Sequence, residues 1–341
     1  MKLPWCRITV LLADPRDRSF YKDWVPEDDD MLKNLMTEIR AIEGITVEIY
    51  DNHRKLLQDW IFNPPQYVLN QCDNGYLNME AYEGHLCSVM DILGVPYSGS
   101  NAETFIITKD KSIARGIAQS IGIPTPYEIY LSDRTDLIEN IIPKDFPYPA
   151  LIKPANSSGS NGILFDSLVL DHTQIIDAIK KVRQDQPNRP LLIQEFLSGT
   201  EFSVGLIGNP DDNNLEILPP LEVDYSSLDS KYPKIQLGQY KCDSNSEFWQ
   251  QTKEIRASLS EEQLNTICNY ARKLYIRCNC RDYARMDFRM DRHGVIKIMD
   301  INPNCWLGGK FKMMGEFAGY SWNQLLYKLL CISQQRCLRE K

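Results

Sequence analysis

A lysine at the end of a predicted strand, followed by a loop rich in glycine and serine, is the strongest chemical signal in the sequence. Residues 150–162 read Ala-Leu-Ile-Lys-Pro-Ala-Asn-Ser-Ser-Gly-Ser-Asn-Gly. Lys153 supplies a positive charge and the loop around Ser160 supplies a row of backbone N–H groups, which together suit phosphate oxygens. The segment is neither a Walker A motif nor a GxGxxG turn, which excludes the P-loop and Rossmann classes of nucleotide site. Taken alone, it is also compatible with a flexible surface turn.

Acidic and amide side chains recur on two further predicted strands, 283–290 and 295–302, which a turn-like segment joins. Side chains of a strand alternate between its two faces. The polar positions that share a face are therefore Arg285, Asp287 and Arg289 on the first strand, and Asp300 and Asn302 on the second.

The register of this predicted hairpin depends on its turn. If Asp291 pairs with Gly294, Arg285 stands opposite Asp300 and Asp287 lies on the diagonal. Burying Asp287, Asp300 and Asn302 together without a cation would be unfavourable, because the two carboxylates repel each other and an isolated buried carboxylate is costly. Oxygen ligands of this kind suit Mg²⁺ that bridges nucleotide phosphates. A half-exposed amphipathic hairpin with solvated charges is the alternative.

A third segment, 191–204, reads as an apolar strand, a break at Ser198 and Gly199, and a second strand that begins beside Glu201. A strand that ends in a break can offer backbone N–H and C=O groups to the edge of a base. The carboxylate of Glu201 could accept hydrogen bonds from ribose hydroxyls. An ordinary β-hairpin would give the same pattern.

The elements that must position these groups change in character along the chain. The first hundred residues alternate strand-like and helix-like segments, which favours a parallel, doubly wound α/β domain. A predicted helix then ends at Gly122, and Pro124 and Pro126 favour an extended linker. From Tyr148 onward predicted strands dominate, including a continuous one over 217–223.

Length and composition exclude several classes of protein. A chain of 341 residues exceeds one usual hydrophobic core, so two or three domains are expected. The net charge of −8 argues against a nucleic-acid-binding surface. No run approaches the roughly 18 apolar residues that a membrane helix requires, so we expect a cytoplasmic protein without membrane contact.

Seven landmarks follow one another in an order that resembles D-alanine:D-alanine ligases of the ATP-grasp superfamily. They are residues 94–100, Asp110-Lys111, residues 122–126, the Lys153 loop, residues 194–202, Arg285-Met-Asp287 and Asp300-Ile-Asn302. The resemblance covers roughly residues 90–330. It implies an ATP-grasp fold, with a doubly wound N-terminal domain (1–107) followed by two α+β domains (108–195 and 196–341) that enclose ATP.

The resemblance also implies a role for each candidate site residue. It assigns phosphate contacts to Lys111 and Lys153, the adenine-binding segment to Glu195, Phe196 and Leu197, the ribose carboxylate to Glu201, two Mg²⁺ ions to Asp287, Asp300 and Asn302, and catalytic contacts to Arg285, Ser160 and Lys241. Arg285 would face the developing oxyanion. Lys241 would reach the γ-phosphate from a mobile loop within 224–245.

The implied reaction forms an amide bond in two steps. A substrate carboxylate attacks the γ-phosphoryl group of ATP to give an acyl phosphate and ADP, and an amine then displaces phosphate from the acyl carbon. Closure of residues 224–245 would exclude the water that hydrolyses an acyl phosphate. The resemblance further suggests a homodimer.

Three departures from the family pattern fall in the segments expected to bind substrate. Asp14-Pro-Arg-Asp-Arg18 stands where these ligases carry Glu-Val-Ser, residues 70–75 replace a His-Gly-rich segment, and residues 303–310 replace a Thr-x-Pro-Gly-Met run. We therefore predict a divergent ligase of amino acids or small peptides. The alternatives are an authentic D-alanine:D-alanine ligase of peptidoglycan synthesis and a kinase that phosphorylates without ligating.

The same departures suggest which groups replace the missing substrate contacts. An acidic side chain, Asp14, Asp17 or Asp73, could accept the ammonium group of the first substrate. Lys310 or Lys312 could hold the carboxylate of the second.

Overall fold

The computed structural model describes residues 3–16, 29–133, 141–157, 159–210, 215–237 and 246–340, which form three β-sheets with helices packed on them. In this part of the chain the strands are β1 (Arg7–Leu11), β2 (Thr46–Tyr50), β3 (Val68–Asn70), β4 (Glu128–Leu131), β5 (Ala150–Pro154), β6 (Leu168–Val169), β7 (Leu191–Glu195), β8 (Glu201–Ile207), β9 (Glu216–Ile217), β10 (Leu221–Asp224), β11 (Lys253–Arg256), β12 (Tyr283–Met290) and β13 (Ile296–Asn302). The helices are α1 (Asp29–Arg40), α2 (His53–Phe62), α3 (Glu83–Ile92), α4 (Ala102–Lys109), α5 (Lys111–Ser120), α6 (Ile175–Asp185), α7 (Glu247–Gln251), α8 (Glu261–Arg277), α9 (Gly309–Phe317) and α10 (Trp322–Arg339).

The first sheet is parallel, in the order β2-β1-β3. On one of its faces Ile8 and Val10 join a buried cluster with residues of α1 and α10. On the other, Leu11 and Val68 join a cluster with residues of α2 and α3. Helices therefore cover both faces of this sheet, as the alternation of strand and helix patterns predicts.

The second sheet is antiparallel, in the order β4-β7-β5-β6. Helix α6 covers one face through Ile179 and Val182, which share a core with Ile152 of β5 and Ile193 of β7. Its first strand, β4, forms in the segment that the sequence indicated only as an extended linker. The positions of Pro124 and Pro126, just before β4, are compatible with such an extended backbone.

The third sheet runs in the order β11-β10-β8-β12-β13, and β9 also pairs with β8. Its core contains Val204 and Phe288 together with Leu274 of α8 and Ala118 of α5. The continuous strand predicted over 217–223 is wrong. It is divided into β9 and β10, and the division falls at Pro219 and Pro220, which lack the backbone N–H that a central strand must donate.

The hairpin of β12 and β13 differs from the predicted register for two reasons. The N–H of Asp291 donates to the carbonyl of Val295, 3.0 Å away, so the turn is one residue longer than a pairing with Gly294 would make it. Met290 consequently pairs with Ile296. A one-residue shift of this kind moves every side chain of the second strand to the opposite face.

A β-bulge then restores the shared face. The pairing passes from Phe288–Ile298 directly to Asp287–Asp300, so Met299 is an extra residue in β13. Beyond the bulge Arg285 stands opposite Asn302, and the prediction that Arg285 faces Asp300 is wrong. The expectation that the acid and amide groups share a face nevertheless holds, because the longer turn and the bulge together displace the register by two residues.

Candidate active site

A cleft lies between the second and third sheets. Its walls come from β5, β8, β12 and β13, with contributions from α5, α9 and residues 235–236. The predicted site residues that line it are Lys111, Lys153, Ser160, Glu201, Arg285, Asp287, Asp300 and Asn302. The structure thus brings together groups from three separate sequence signals.

Lys111 is fixed at the start of α5. The side chain of Asp110 caps the helix by accepting hydrogen bonds from the N–H groups of Ser112 and Ile113 at 2.9 and 3.1 Å. The backbone N–H of Lys111 donates to the carbonyl of Ala155, 2.9 Å away. Its Nζ donates to the carbonyl of Ser157 and lies 3.5 Å from Oδ2 of Asp300, so the ammonium group connects the loop after Lys153 with β13.

Lys153 is buried within β5, with 4% of its surface exposed. Burial, reinforced by the nearby charges of Arg115 and Lys111, lowers the pKa of Lys153 to about 7. A buried ammonium group that the surrounding carboxylates do not fully neutralise favours the binding of an anion. The loop that follows contains Ser160 with φ of 65°, and its carbonyl accepts a hydrogen bond from the N–H of Ile163 at 3.1 Å.

Asp287 is the most fully hydrogen-bonded carboxylate of the cleft. Arg285 donates to it from Nε (2.9 Å to Oδ1) and Nη2 (3.0 Å to Oδ2). Ser203 and Asn302 add hydrogen bonds of 2.7 and 2.9 Å. Burial alone would raise the pKa of Asp287, but Arg285, Lys310 and the hydrogen bond from Ser203 outweigh it and lower the pKa to about 2. Asp287 is therefore an anion at neutral pH.

The oxygen ligands in the cleft fit a magnesium ion that also binds phosphates. Within the described residues, no group of three or more His, Cys, Asp or Glu side chains is arranged to hold a metal ion by itself. Mg²⁺ is usually held by one or two carboxylates, with substrate phosphates and water completing its shell. Asp287 and Asp300 with the amide of Asn302 are such a set. Asp300 accepts one backbone hydrogen bond, from Ile301 at 3.1 Å, which leaves lone pairs for a metal.

Glu201 lies among two cations and a phenol. Arg289 Nη1 is 3.5 Å and Lys310 Nζ 3.8 Å from its carboxylate, and the hydroxyl of Tyr225 donates to it at 3.4 Å. Arg289 and Lys310 both line the cleft, although neither was a predicted nucleotide-site residue. The alternation of side chains along β12 was the available signal for Arg289, which shares a face with Arg285.

The three residues predicted to bind adenine lie beside the cleft rather than in its lining. Glu195 pairs with Lys297 at 2.9 Å. The ring of Phe196 lies 5.0 Å from the guanidinium carbon of Arg289, and Leu197 is buried. Phe196 packs against Leu151, which does line the cleft. Their part in adenine binding stays a prediction.

Lys241, predicted to reach the γ-phosphate, lies outside the described residues. Part of the same loop is described, and Ile235 and Gln236 line the cleft. The role of Lys241 therefore stays a prediction.

Two of the groups suggested for substrate binding have other partners. Asp14 is buried and accepts hydrogen bonds from Arg16 Nε at 2.8 Å and from the N–H of His53 at 2.9 Å, so it stabilises the N-terminal sheet region. Lys312 lies 3.8 Å from Glu316 on the next turn of α9. Lys310 also has acidic partners, since its Nζ lies 3.8 Å from Glu201 and 3.6 Å from Glu254, but its side chain lines the cleft.

Comparison with known proteins identifies the family. Residues 117–331 match the family model described as D-ala D-ala ligase C-terminus. The chain belongs to this ligase family. It is 27% identical over 264 residues to the D-alanine–D-alanine ligase of Acetivibrio thermocellus. The aligned region covers 74% of this chain and 65% of the relative. It is 26% identical over 266 residues to the uncharacterized protein y4sG of Sinorhizobium fredii, covering 74% and 70% respectively.

The ligase also shares its fold with a solved structure. The D-alanine–D-alanine ligase of Bacillus anthracis, complexed with ATP, superposes with a TM-score of 0.74 at 18% identity, covering 98% of this chain and 99% of that chain. The ATP-grasp fold is confirmed. The chain is an ATP-dependent, ADP-forming carboxylate–amine ligase that uses ATP and Mg²⁺. Among the described residues, no helix has the length and apolar character to cross a membrane.

Proposed function

We propose that this ligase activates the carboxylate of an amino acid or small peptide as an acyl phosphate and couples it to the amine of a second substrate. The observation that carries the proposal is the placement of Lys111 and Lys153 in one cleft with Arg285 and the Asp287–Asp300 pair. This reaction needs cations that bind phosphate, oxygen ligands for Mg²⁺ and a hydrogen-bond donor for the oxyanion.

The nucleotide occupies the cleft between β5 and the third sheet. Lys111 and Lys153 neutralise phosphate oxygens, and the loop at Ser160 offers backbone N–H groups to them. Glu201 accepts the ribose hydroxyls. Phe196, packed against Leu151 at the edge of the cleft, lies on the side where the base would bind.

Two Mg²⁺ ions are held by Asp287, Asp300 and Asn302. Bound there, Mg²⁺ supplies charge neutralisation to the phosphate oxygens. The hydrogen bonds that Asp287 accepts from Ser203 and Arg285 keep its carboxylate ionised and oriented, as partners of a metal ligand commonly do.

The reacting groups meet next to Arg285. A substrate carboxylate attacks the γ-phosphoryl group, and ADP leaves. The amine of the second substrate then attacks the acyl carbon, Arg285 stabilises the oxyanion, and phosphate leaves. Lys241 and the loop 224–245 close over the site and exclude water.

The substrates proposed differ from a pair of D-alanines. The three segments that depart from the family pattern are those expected to bind amino acids, whereas the nucleotide positions match. Asp14 is hydrogen-bonded within the N-terminal region. The other candidates for the first ammonium group are Asp73 and Asp17, of which Asp17 lies outside the described residues. Lys310 is the candidate for the second carboxylate, since it lines the cleft.

A D-alanine–D-alanine ligase is the second candidate. Similarity to D-alanine–D-alanine ligases favours it, among them those of Acetivibrio thermocellus and Carboxydothermus hydrogenoformans. Steady-state kinetics over pairs of L- and D-amino acids and dipeptides, with the product identified by mass, separates the two candidates. We expect D-alanine with itself to be a poor pair. A kcat/KM for D-alanine at least as high as that of every other pair would establish the second candidate instead.

We further propose the domain division 1–107, 108–195 and 196–341, and a homodimer. Strands β1 to β3, β4 to β7 and β8 to β13 each fall within one of these ranges, which supports the division. Light scattering of the purified protein tests the dimer, and a monomer at micromolar concentration would contradict it.

A further inference from the structure

Arg115 is a buried charged residue in the middle of α5, with 2% of its surface exposed. Its neighbours on the inward face of the helix, Ala114 and Ala118, are small and apolar and pack on the third sheet. Burying a guanidinium group is costly unless it is paired and hydrogen-bonded. The partners of Arg115 therefore indicate what the residue does.

Those partners belong to two different sheets. Nη1 donates to the backbone carbonyl of Met299 in β13, 3.0 Å away. Nη2 lies 2.5 Å from Oε2 of Glu128 in β4, and the same carboxylate accepts a hydrogen bond from Gln194 of β7 at 2.9 Å. Arg115 thus connects the second sheet with one backbone position of the third.

That position is the bulge. Met299 is the extra residue of β13, and a bulged residue is left out of the regular ladder. A partly buried carbonyl without a partner would be unfavourable, and the hydrogen bond from Arg115 satisfies it. In a regular pairing continued from Phe288–Ile298, Met299 would stand opposite Asp287 in place of Asp300. The bulge is what directs Asp300 and Asn302 to the face of Asp287.

We propose that Arg115 is a positioning residue for the magnesium–nucleotide site: it stabilises the bulge at Met299 and thereby fixes Asp300 and Asn302 on the face that carries Asp287. This inference rests on the proposed function of those three residues as Mg²⁺ ligands. Arg115 does not contact the substrate. It acts through the backbone of β13, and its ion pair with Glu128 holds the guanidinium in place.

A merely structural ion pair would contribute to folding alone, so the test measures metal-dependent binding directly. Calorimetry gives the affinity for the β,γ-imido analogue of ATP in EDTA and in Mg²⁺, and the ratio of the two is the gain from the metal. Arg115→Met should reduce that gain by about 10- to 100-fold, the usual effect of removing a partner of a metal ligand. Affinity without metal should change much less. Arg115→Lys, which keeps a charge and one donor toward Met299, should recover part of the gain.

Three outcomes decide the matter. If Arg115→Met lowers the melting temperature but keeps the full gain from Mg²⁺, Arg115 is a core ion pair and the inference is wrong. If that variant does not fold, Glu128→Gln replaces it, and an undiminished gain in Glu128→Gln overturns the inference as well. Asp300→Asn, measured in parallel, tests the underlying site: a full gain there would overturn the proposed metal ligands themselves.

Discussion

Arg285 donates hydrogen bonds to Asp287 from two positions away on the same strand, with Nε 2.9 Å from Oδ1 and Nη2 3.0 Å from Oδ2. The proposed oxyanion donor is therefore also the partner of a proposed metal ligand. Both residues are ionised at neutral pH, since the pKa of Arg285 is raised by Asp287 against the effect of burial, and that of Asp287 is lowered to about 2. Replacing Arg285 should affect catalysis and metal binding by different amounts.

Arg285→Ala is expected to slow amide formation by about two to three orders of magnitude, the usual loss for one oxyanion donor. Affinity for the Mg²⁺ complex of the nucleotide should fall much less, because Asp287 keeps its hydrogen bonds from Ser203 and Asn302. Steady-state kinetics and calorimetry give the two losses. Arg7→Ala, which removes an exposed ion pair with Glu48, is the control. Equal losses in Arg285→Ala would make Arg285 a structural partner of Asp287 and nothing more.

Nucleotide binding should depend on pH through Lys153. Burial, Arg115 and Lys111 lower the pKa of Lys153 to about 7 in the free protein. A bound phosphate favours the ammonium form and raises that pKa, so binding takes up a proton. Affinity should therefore fall as the pH rises above about 7, by up to about tenfold per pH unit. Calorimetry in buffers of different ionisation enthalpy detects the proton directly.

The control for this pH dependence is Lys153→Arg, whose side chain stays charged throughout the range. Its pH profile contains the ionisation of the nucleotide itself but not that of residue 153. Identical profiles for the parent and Lys153→Arg would show that Lys153 does not titrate in this range.

Lys153 should also make the stability of the nucleotide-free protein depend on pH. The pKa of Lys153 is about 7 when folded and has an ordinary value of 10.5, so the unfolded state binds more protons between these values. The free energy of unfolding should then rise with pH across that window relative to Lys153→Met, by at most about 1.4 kcal/mol per pH unit. Denaturant titrations at several pH values measure the difference. Parallel pH dependences would contradict the shifted pKa.

Substitution of Lys310 should alter substrate preference. Lys310→Ser is expected to raise the KM for the second substrate, about tenfold for the loss of one charge-assisted contact, with a smaller effect on the KM for ATP. Lys312→Ser is the matched control, since Lys312 is two residues along the same helix and pairs with Glu316. If the two substitutions have the same effect, Lys310 does not hold the second substrate. If Lys310→Ser raises the KM for ATP most, Lys310 serves the nucleotide through Glu201 instead.

Local pattern predicted which polar side chains share a face, while their roles stay predictions. Alternation along β12 predicted that Arg285 and Asp287 share a face, and both residues line the same cleft as Lys153. The register of the hairpin was not predictable from its own residues. It depends on a bulge whose carbonyl is hydrogen-bonded by Arg115, and that residue is 184 positions away in the sequence.

Long-range pairing also explains strand β4, which the sequence indicated only as an extended linker. Strand β4 forms because its backbone pairs with β7 in the second sheet, which follows more than sixty residues later. The division between β9 and β10 was visible in the sequence, since two consecutive prolines interrupt the run. Lys310 was noted as a substrate contact, but its distance to Glu201 depends on how α9 packs against the third sheet.

The most direct test of the central claim is the stoichiometry of ADP release and amide formation in the parent and in Asp300→Asn. With the best substrate pair from the screen and saturating Mg²⁺, the parent should form one amide for each ADP, and omission of the amine should suppress the amide product. Asp300→Asn should lose both ADP release and amide formation while remaining folded. Accumulation of a stable phosphorylated acid without any amide, or near-parental turnover in Asp300→Asn, would contradict the assignment of this cleft as a magnesium-dependent ligase site.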